Sequence, residues 1–310
     1  MSDFVQQQNS ICDFATSDSW VILSPIEQSI KKKIEAVGTP LKDWDINIYR
    51  GVLTGCNEAF IIDSGKREEI LANCQTEDER QRTAELIRPI LRGRDIKRYG
   101  YDWANLYLIA TFPSRHYDID RYPAVKQYLL SFGIERLEQT GKTHVVDGEK
   151  VKARKKTNNK WFETQDSISY WEDFNKPKIV WGEISDRSKF AYEHEGRYIP
   201  EATTFLMVGN QLPYLFCVLN SPLSEWFFSK VGTTTGVGTV RWKKFTIQQL
   251  LLPNITTRQQ IIFDNYVEQY MKGVKTKTDF TKDVNAEIYK SVGLTDIEID
   301  YVENFYPPLT

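Results

Sequence analysis

The spacing of apolar and polar residues predicts short strands mixed with amphipathic helices. Ile26, Ile30 and Ile34 share one helical face, and Ser24 followed by Pro25 is a typical helix start. Pro89 predicts a break in the chain. Alternating or continuous apolar runs predict further strands at residues 46–52, 59–63, 106–111, 178–184, 190–192 and 203–208. Amphipathic spacing predicts further helices at residues 66–73, 78–87, 122–132, 212–219 and 223–229, and from residue 256 onward.

These elements predict a mixed α/β or α+β fold, with a twisted mixed sheet, peripheral helices and a C-terminal helical segment. We expect a helical lead-in at residues 1–45, a central domain at 46–255 and a helical segment at 256–310. Residues 245–252 predict a short strand or turn that ends at Pro253. The polar residues 139–160 predict a long exposed loop or a mobile hairpin, and such segments are often functional.

Composition places the chain among ordinary folded proteins. It has 310 residues, of which 41 % are hydrophobic and 26 % charged, so it can bury a sizeable core. Its apolar runs are too short to cross a bilayer, and residues 2–10 are too polar for a signal peptide. Its four cysteines are scattered without a paired motif. We therefore expect a cytoplasmic protein with no membrane partner and no bound zinc.

Charge is distributed unevenly along the chain. The formal net charge is −2, yet residues 88–160 contain 16 Lys and Arg against 8 Asp and Glu. A basic segment within an acidic chain is typical of a surface that binds a polyanion. The alternative is a solvated face whose compensating acids lie nearby, and charge alone does not separate the two.

Motifs of several enzyme classes are missing from the sequence. It has no phosphate-binding P-loop, no G-x-S-x-G nucleophile motif and no Asn/Asp-Pro-Pro-Tyr/Phe segment of an adenine methyltransferase. His116, His144 and His194 are too far apart in sequence for metal-ligand spacing. The residues therefore favour a binding module without catalytic groups of its own, and an enzyme of unfamiliar type is the alternative.

Several separated segments resemble the specificity domain of type IIG restriction–modification enzymes, which are related to the Taq-type DNA adenine methyltransferases. The similarity covers roughly residues 46–305, and its blocks follow the family's order. They are Tyr49–Asp63, Ile87–Tyr99, Lys160–Glu163, Lys176–Trp181, Val218–Leu223, Arg241–Lys244, Leu250–Pro253 and Asn285–Glu303.

The resemblance implies that residues 46–255 form a DNA target recognition domain. In such enzymes this domain recognises the DNA site, while a methyltransferase domain, and in type IIG enzymes a nuclease, do the chemistry. We therefore expect duplex DNA and a methyltransferase domain or subunit as partners. The cofactor S-adenosylmethionine is expected in that methyltransferase, where adenine N6 is methylated, and no cofactor is expected in this chain.

A recognition domain must hold DNA phosphates and place side chains against base edges. Three basic or glycine-rich segments offer such groups, and each has a structural alternative: a corner closed by ion pairs at 92–98, a solvated loop at 152–160, and a flexible turn at 232–244. We predict DNA contacts from Arg92, Arg94, Lys97, Arg98, Lys152, Arg154, Lys155, Lys156, Lys160, Thr234, Arg241 and Lys243.

The sequence leaves two other functions open. The chain could serve as a protein–protein scaffold or specificity subunit whose main contact is a methyltransferase, which an exposed apolar patch on the C-terminal helices would favour. A compact carboxylate cluster in a pocket would favour the unfamiliar enzyme.

Overall fold

A computed structural model describes residues 23–231 and 240–305. Its helices in chain order are α1 (Pro25–Val37), α2 (Asn57–Phe60), α3 (Ser64–Ala72), α4 (Glu77–Leu86), α5 (Pro123–Leu130), α6 (Ile134–Leu137), α7 (Leu212–Leu219), α8 (Pro222–Val231), α9 (Lys244–Ile247), α10 (Thr257–Met271), α11 (Lys277–Val292) and α12 (Asp296–Glu303). Short 3-10 turns occur at Leu41–Asp43, Gly93–Asp95, Pro113–Arg115, Ile119–Arg121 and Trp171–Asn175.

The strands are mostly short. In chain order they are β1 (Gly38–Pro40), β2 (Ile46–Arg50), β3 (Ile61–Asp63), β4 (Ile87–Leu91), β5 (Ile96–Lys97), β6 (Gly100–Tyr101), β7 (Leu106–Ile109), β8 (Thr143–Val146), β9 (Glu149–Lys152), β10 (Lys178–Gly182), β11 (Ile184–Ser185), β12 (Phe190–Glu193), β13 (Ile199–Pro200), β14 (Thr204–Gly209), β15 (Val240–Arg241) and β16 (Leu251–Pro253).

The chain divides into two compact units. The sheet unit consists of residues 46–184 and 189–212, and the helical unit includes described residues 23–45, 185–188, 213–231 and 240–305. The predicted domain boundaries at residues 45 and 255 stay a prediction, because compactness alone does not delimit a recognition domain.

Two four-stranded sheets organise the sheet unit. The first has the order β12-β10-β14-β2 with antiparallel neighbours throughout. The second has the order β13-β4-β7-β3, in which the pair β13 and β4 is parallel and the other pairs are antiparallel. A continuous core that includes Phe60, Ile90, Leu108, Phe174 and Leu206 lies among these strands and their helices. The predicted mixed α/β class is confirmed, but the sheet unit has two four-stranded sheets, one antiparallel and one mixed, where a single mixed sheet was expected.

Three details of the predicted elements are corrected. The strand predicted over residues 59–63 begins only at residue 61, because the carbonyl of Cys56 accepts N–H bonds from Ala59 and Phe60, which closes the short helix α2 before β3. Pro89 lies inside strand β4 and does not break it. This is tolerated because β13, on one side of β4, pairs only with residues 90 and 91. Residues 245–252 contain most of the helix α9 before β16.

The helical unit confirms the predicted start of α1. The hydroxyl of Ser24 accepts a hydrogen bond from the backbone N–H of Glu27, and the carboxylate of Glu27 accepts one from the backbone N–H of Ser24. These two N–H groups at the start of the helix have no partner within it, so the capping box satisfies both. Ile30 and Ile34 are buried, as their spacing predicts. In the same unit, β1 pairs with β16, and the hydroxyl of Tyr214 donates to the carbonyl of Pro253 at 2.6 Å.

Glu298 is a buried carboxylate at the start of α12 that gives the helical unit a pH-dependent stability. Burial opposes its charge, but hydrogen bonds from Lys33, Ser29 and the backbone N–H of Thr295 outweigh burial and lower its pKa to about 2. A carboxyl whose folded pKa is lowered stabilises the fold above its unfolded pKa and loses that contribution as pH falls toward the folded value.

We therefore predict that Glu298→Gln lowers the free energy of unfolding at neutral pH by about 3 kcal/mol. The difference from the wild type should vanish as the pH falls from about 4.5 to about 2. Urea unfolding at several pH values measures it. Glu35→Gln, at an exposed position on α1, is the control and should show no such trend. A deficit for Glu298→Gln that persists unchanged to pH 2 would contradict this explanation.

Among the described residues, no helix is both long and apolar enough to span a membrane.

Candidate nucleic-acid interface

A β-hairpin formed by β8 and β9 projects basic side chains from the sheet unit. Thr143 pairs with Lys152 and Val145 with Lys150 across the two strands. The strands are joined by Asp147 and Gly148, whose φ angles are 50° and 85°. Two central residues with positive φ match the twist of antiparallel strands, and Asp-Gly is a preferred pair at this turn. The hairpin alternative is therefore confirmed over residues 143–152, and its mobility stays a prediction.

The hairpin has two different faces because side chains alternate along each strand. Val151, His144 and Val146 are partly buried on one face. On the opposite face all four side chains are exposed, and Val145 retains 72 % of its accessible surface. We call this the ribbon face; it consists of Thr143, Val145, Lys150 and Lys152.

Arg154 fixes the base of the hairpin from inside the protein. Its side chain is buried, and its guanidinium donates to the backbone carbonyls of Leu137, Thr54, Glu163 and Trp161 at 2.6–2.8 Å. Burial lowers its pKa to about 10, so it still carries its charge at neutral pH. Four of its five N–H groups are committed to carbonyls. These hydrogen bonds support a structural role for Arg154, and DNA contact by Arg154 stays a prediction that they make less favourable.

The segment after the hairpin is held by further hydrogen bonds and presents lysines outward. The side-chain amide of Gln139 donates to the carbonyls of Lys160 and Glu163, at 3.2 and 3.1 Å. The amide of Asn159 donates to the carbonyl of Gln165 at 2.9 Å. Held in this way, the segment exposes the side chains of Lys155, Lys156 and Lys160. With Lys150 and Lys152 they form what we call the basic ribbon.

The basic corner at residues 92–98 combines a structural ion pair with exposed cations. Arg92 donates through Nε and Nη2 to the carboxylate of buried Asp95, at 3.1 and 2.8 Å, which supports the structural alternative for Arg92. Arg94 and Lys97 are exposed. Arg98 is half-buried, with its guanidinium 5.7 Å from the ring centroid of Tyr99. DNA contact by Arg94, Lys97 and Arg98 stays a prediction.

The third predicted segment belongs to the helical unit. Arg241 is half-buried in β15 and Lys243 is exposed just before α9. Thr234 lies outside the described residues. Because exposure alone does not identify a binding partner, the role of this segment in DNA binding stays a prediction.

The predicted site residues do not include Val145 and Lys150, which the structure places on the ribbon face. The sequence signal that could have found them is Asp147-Gly148, a typical hairpin turn between two short segments. Among the described residues, no three His, Cys, Asp or Glu side chains cluster as metal ligands.

Two solved structures share the fold of this chain. One belongs to the type IIG restriction endonuclease BpuSI, with a TM-score of 0.50, 12 % identity, and coverage of 87 % of this chain and 33 % of that one. The other belongs to the type IIL restriction–modification enzyme MmeI in complex with DNA, with a TM-score of 0.50, 11 % identity, and coverage of 88 % and 34 %. This chain thus spans about a third of the length of either enzyme.

The family relation of this chain is shown by a match that extends over more of the sequence than any one of the short segments described above. No curated protein gives a significant match. The model of the TaqI-like C-terminal specificity domain matches residues 88–253, which is more than half of the chain. That range includes the basic corner, the hairpin and the segment around Arg241. The chain therefore belongs to the family of TaqI-like C-terminal specificity domains.

Proposed function

We propose that this chain recognises duplex DNA in a sequence-specific way, as the specificity part of a type IIG restriction–modification enzyme that methylates adenine N6. Methyl transfer from S-adenosylmethionine would take place in a methyltransferase domain or subunit outside these 310 residues. Family membership supports the specificity role, and the basic ribbon is the observation that carries the DNA contact.

The ribbon face suits the major groove of B-DNA. That groove is about 12 Å wide and admits a two-stranded ribbon, whose strands lie about 5 Å apart. Lys150 and Lys152 can reach phosphates or guanine edges, and exposed Val145 offers an apolar contact for a thymine methyl group. Lys155, Lys156 and Lys160 supply positive charge beside the ribbon, where phosphates run along the groove edge.

Sequence preference tests this proposal. The chain is joined to its methyltransferase partner, and the methylated adenines are mapped by sequencing. We expect one recurrent site for the wild type and a relaxed base preference at one position of that site for Val145→Ser. Val274→Ser changes an equally exposed valine in the helical unit and should leave the site unchanged. Methylation without sequence preference in the wild type would contradict the proposal.

Docking of the methyltransferase is a second candidate function for the helical unit. Large apolar side chains are exposed at Ile261 on α10 and at Ile297 on α12. Exposed apolar side chains of this size are typical of interaction surfaces when they are grouped. If docking is their role, Ile297→Ser should reduce the rate of methylation and leave its site preference intact.

A further inference from the structure

A polar cavity in the sheet unit is lined by three arginines and three aromatic rings that carry polar groups. Its volume is about 140 Å³, and it lies among α4, β4 and the 3-10 turns at Pro113–Arg115 and Trp171–Asn175. A water molecule occupies about 30 Å³ of liquid, so the cavity has room for a group the size of a hydrated phosphate. The side chains that matter are Arg82, Arg88, Arg115, Tyr117, Tyr122 and Trp171.

Arg115 offers this cavity an uncommitted guanidinium. It is exposed, and none of the described residues accepts a hydrogen bond from its side chain. Its guanidinium carbon lies 3.8 Å from the ring centroid of Trp171. Stacking on an aromatic face holds the guanidinium plane and leaves its in-plane N–H groups available for an anion. A planar fork of donors matches the oxygens of a phosphate.

Arg82 and Arg88 add positive charge that is only partly compensated. Arg82 pairs with the exposed carboxylate of Asp78 and donates to the carbonyl of Arg121 at 3.1 Å, and its buried Nε has no hydrogen-bond partner among the described residues. Arg88 donates to Asn175 and to backbone carbonyls, all neutral acceptors. Burial lowers the pKa of Arg88, and the carboxylate of Glu193, which does not line the cavity, opposes part of that shift. Of the described residues that line the cavity, only Glu85 is acidic, against these three arginines.

Tyr122, which lines the cavity, has a phenol within the electrostatic reach of three guanidinium groups. Burial raises the pKa of Tyr122, Tyr117 adds to that rise, and the guanidiniums of Arg121, Arg82 and Arg115 oppose it. Two of these arginines, Arg82 and Arg115, line the cavity and would also act on an anion bound there.

We infer that this cavity binds a phosphate group of a nucleotide, gripped by Arg115 and Arg82 and flanked by aromatic rings on which the sugar or base packs. The observations that support it lie outside the basic ribbon. With a free nucleotide the inference goes beyond the proposed function, and with a DNA phosphate it rests on that function and adds a second contact. A phosphate in the DNA backbone and the phosphate of a free nucleotide share this chemistry.

Calorimetric titration of the full chain with pyrophosphate tests the inference. We expect saturable binding, weakened about tenfold or more in Arg115→Gln, because the variant cannot donate a charge-assisted hydrogen bond to the anion. Arg197→Gln is the matched control: Arg197 is also exposed and lies over a tyrosine ring, yet it does not line the cavity. The affinity of this control should equal that of the wild type.

A short duplex added as competitor identifies the source of the phosphate. Displacement of pyrophosphate supports a DNA backbone phosphate, and simultaneous binding supports a free nucleotide. Replacing the lysines of the basic ribbon should leave the affinity for pyrophosphate unchanged, which separates this site from the ribbon. Absence of saturable pyrophosphate binding, or equal affinity in the wild type and a folded Arg115→Gln variant, would overturn the inference.

Discussion

Joint replacement of Lys150, Lys152, Lys155 and Lys156 by glutamine should weaken duplex DNA binding about a thousandfold at about 0.1 M salt. Each lysine that neutralises a phosphate releases a condensed counterion, and the binding constant therefore falls as the salt concentration rises. Each such lysine adds about 0.9 to the steepness of this dependence, so removing four of them removes about 3.6. All four side chains are exposed, and their replacement should change the free energy of unfolding by little. Fluorescence anisotropy with a labelled duplex measures the effect.

A control variant with the same change in net charge separates direct contact with DNA phosphates from attraction by the net charge of the protein. Four exposed lysines of the helical unit are replaced by glutamine in the same way; they are Lys272, Lys277, Lys282 and Lys290. This variant should bind DNA within about tenfold of the wild type, because exposed charges that do not contact a phosphate are screened at this salt. Equally weakened binding in the two variants would mean that net charge, and not the basic ribbon, determines affinity.

Arg154→Met should lower the free energy of unfolding by about 3–5 kcal/mol. The substitution leaves four backbone carbonyls without the donor that joins them, among them those of Thr54 and Glu163. Methionine keeps much of the side-chain volume, so the destabilisation reports the hydrogen bonds more than a cavity. Urea unfolding followed by circular dichroism measures the change.

Lys155→Met is the matched control at the neighbouring position. Its side chain is exposed, so stability should stay within about 0.5 kcal/mol of the wild type. Arg154→Met is therefore expected to change stability, whereas Lys155→Met is expected to leave stability unchanged. If Arg154→Met were as stable as the wild type but no longer bound DNA, Arg154 would be a DNA-binding residue after all.

The limits of sequence reasoning are clearest in the run from residue 150 to 160. Its basic residues look alike in sequence, yet Arg154 is buried while Lys155 and Lys156 are exposed. The carbonyls that hold Arg154 include one that is 100 residues away, at Thr54. A hydrogen bond between residues so far apart leaves no local pattern, so the side chain could not be assigned from charge alone.

Some local features, in contrast, can be predicted from the sequence because residues close together in the chain determine them. Ser24 and Glu27 form the capping box that their spacing favours, and Asp147-Gly148 forms a hairpin turn. Short apolar runs fit strand and helix equally well, which is why the pattern places the end of α2 in a strand. The family relation follows from the order of several segments, and it indicates the function class without indicating which cations face solvent.

The dependence of DNA affinity on salt tests most directly whether the basic ribbon binds the double helix. The logarithm of the association constant is measured against the logarithm of salt concentration for the wild type and for the variant with four ribbon lysines replaced. We predict that the slope becomes shallower by about 3.6, or about 0.9 for each phosphate that is no longer neutralised. Equal slopes for the two proteins, at any affinity, would contradict this prediction.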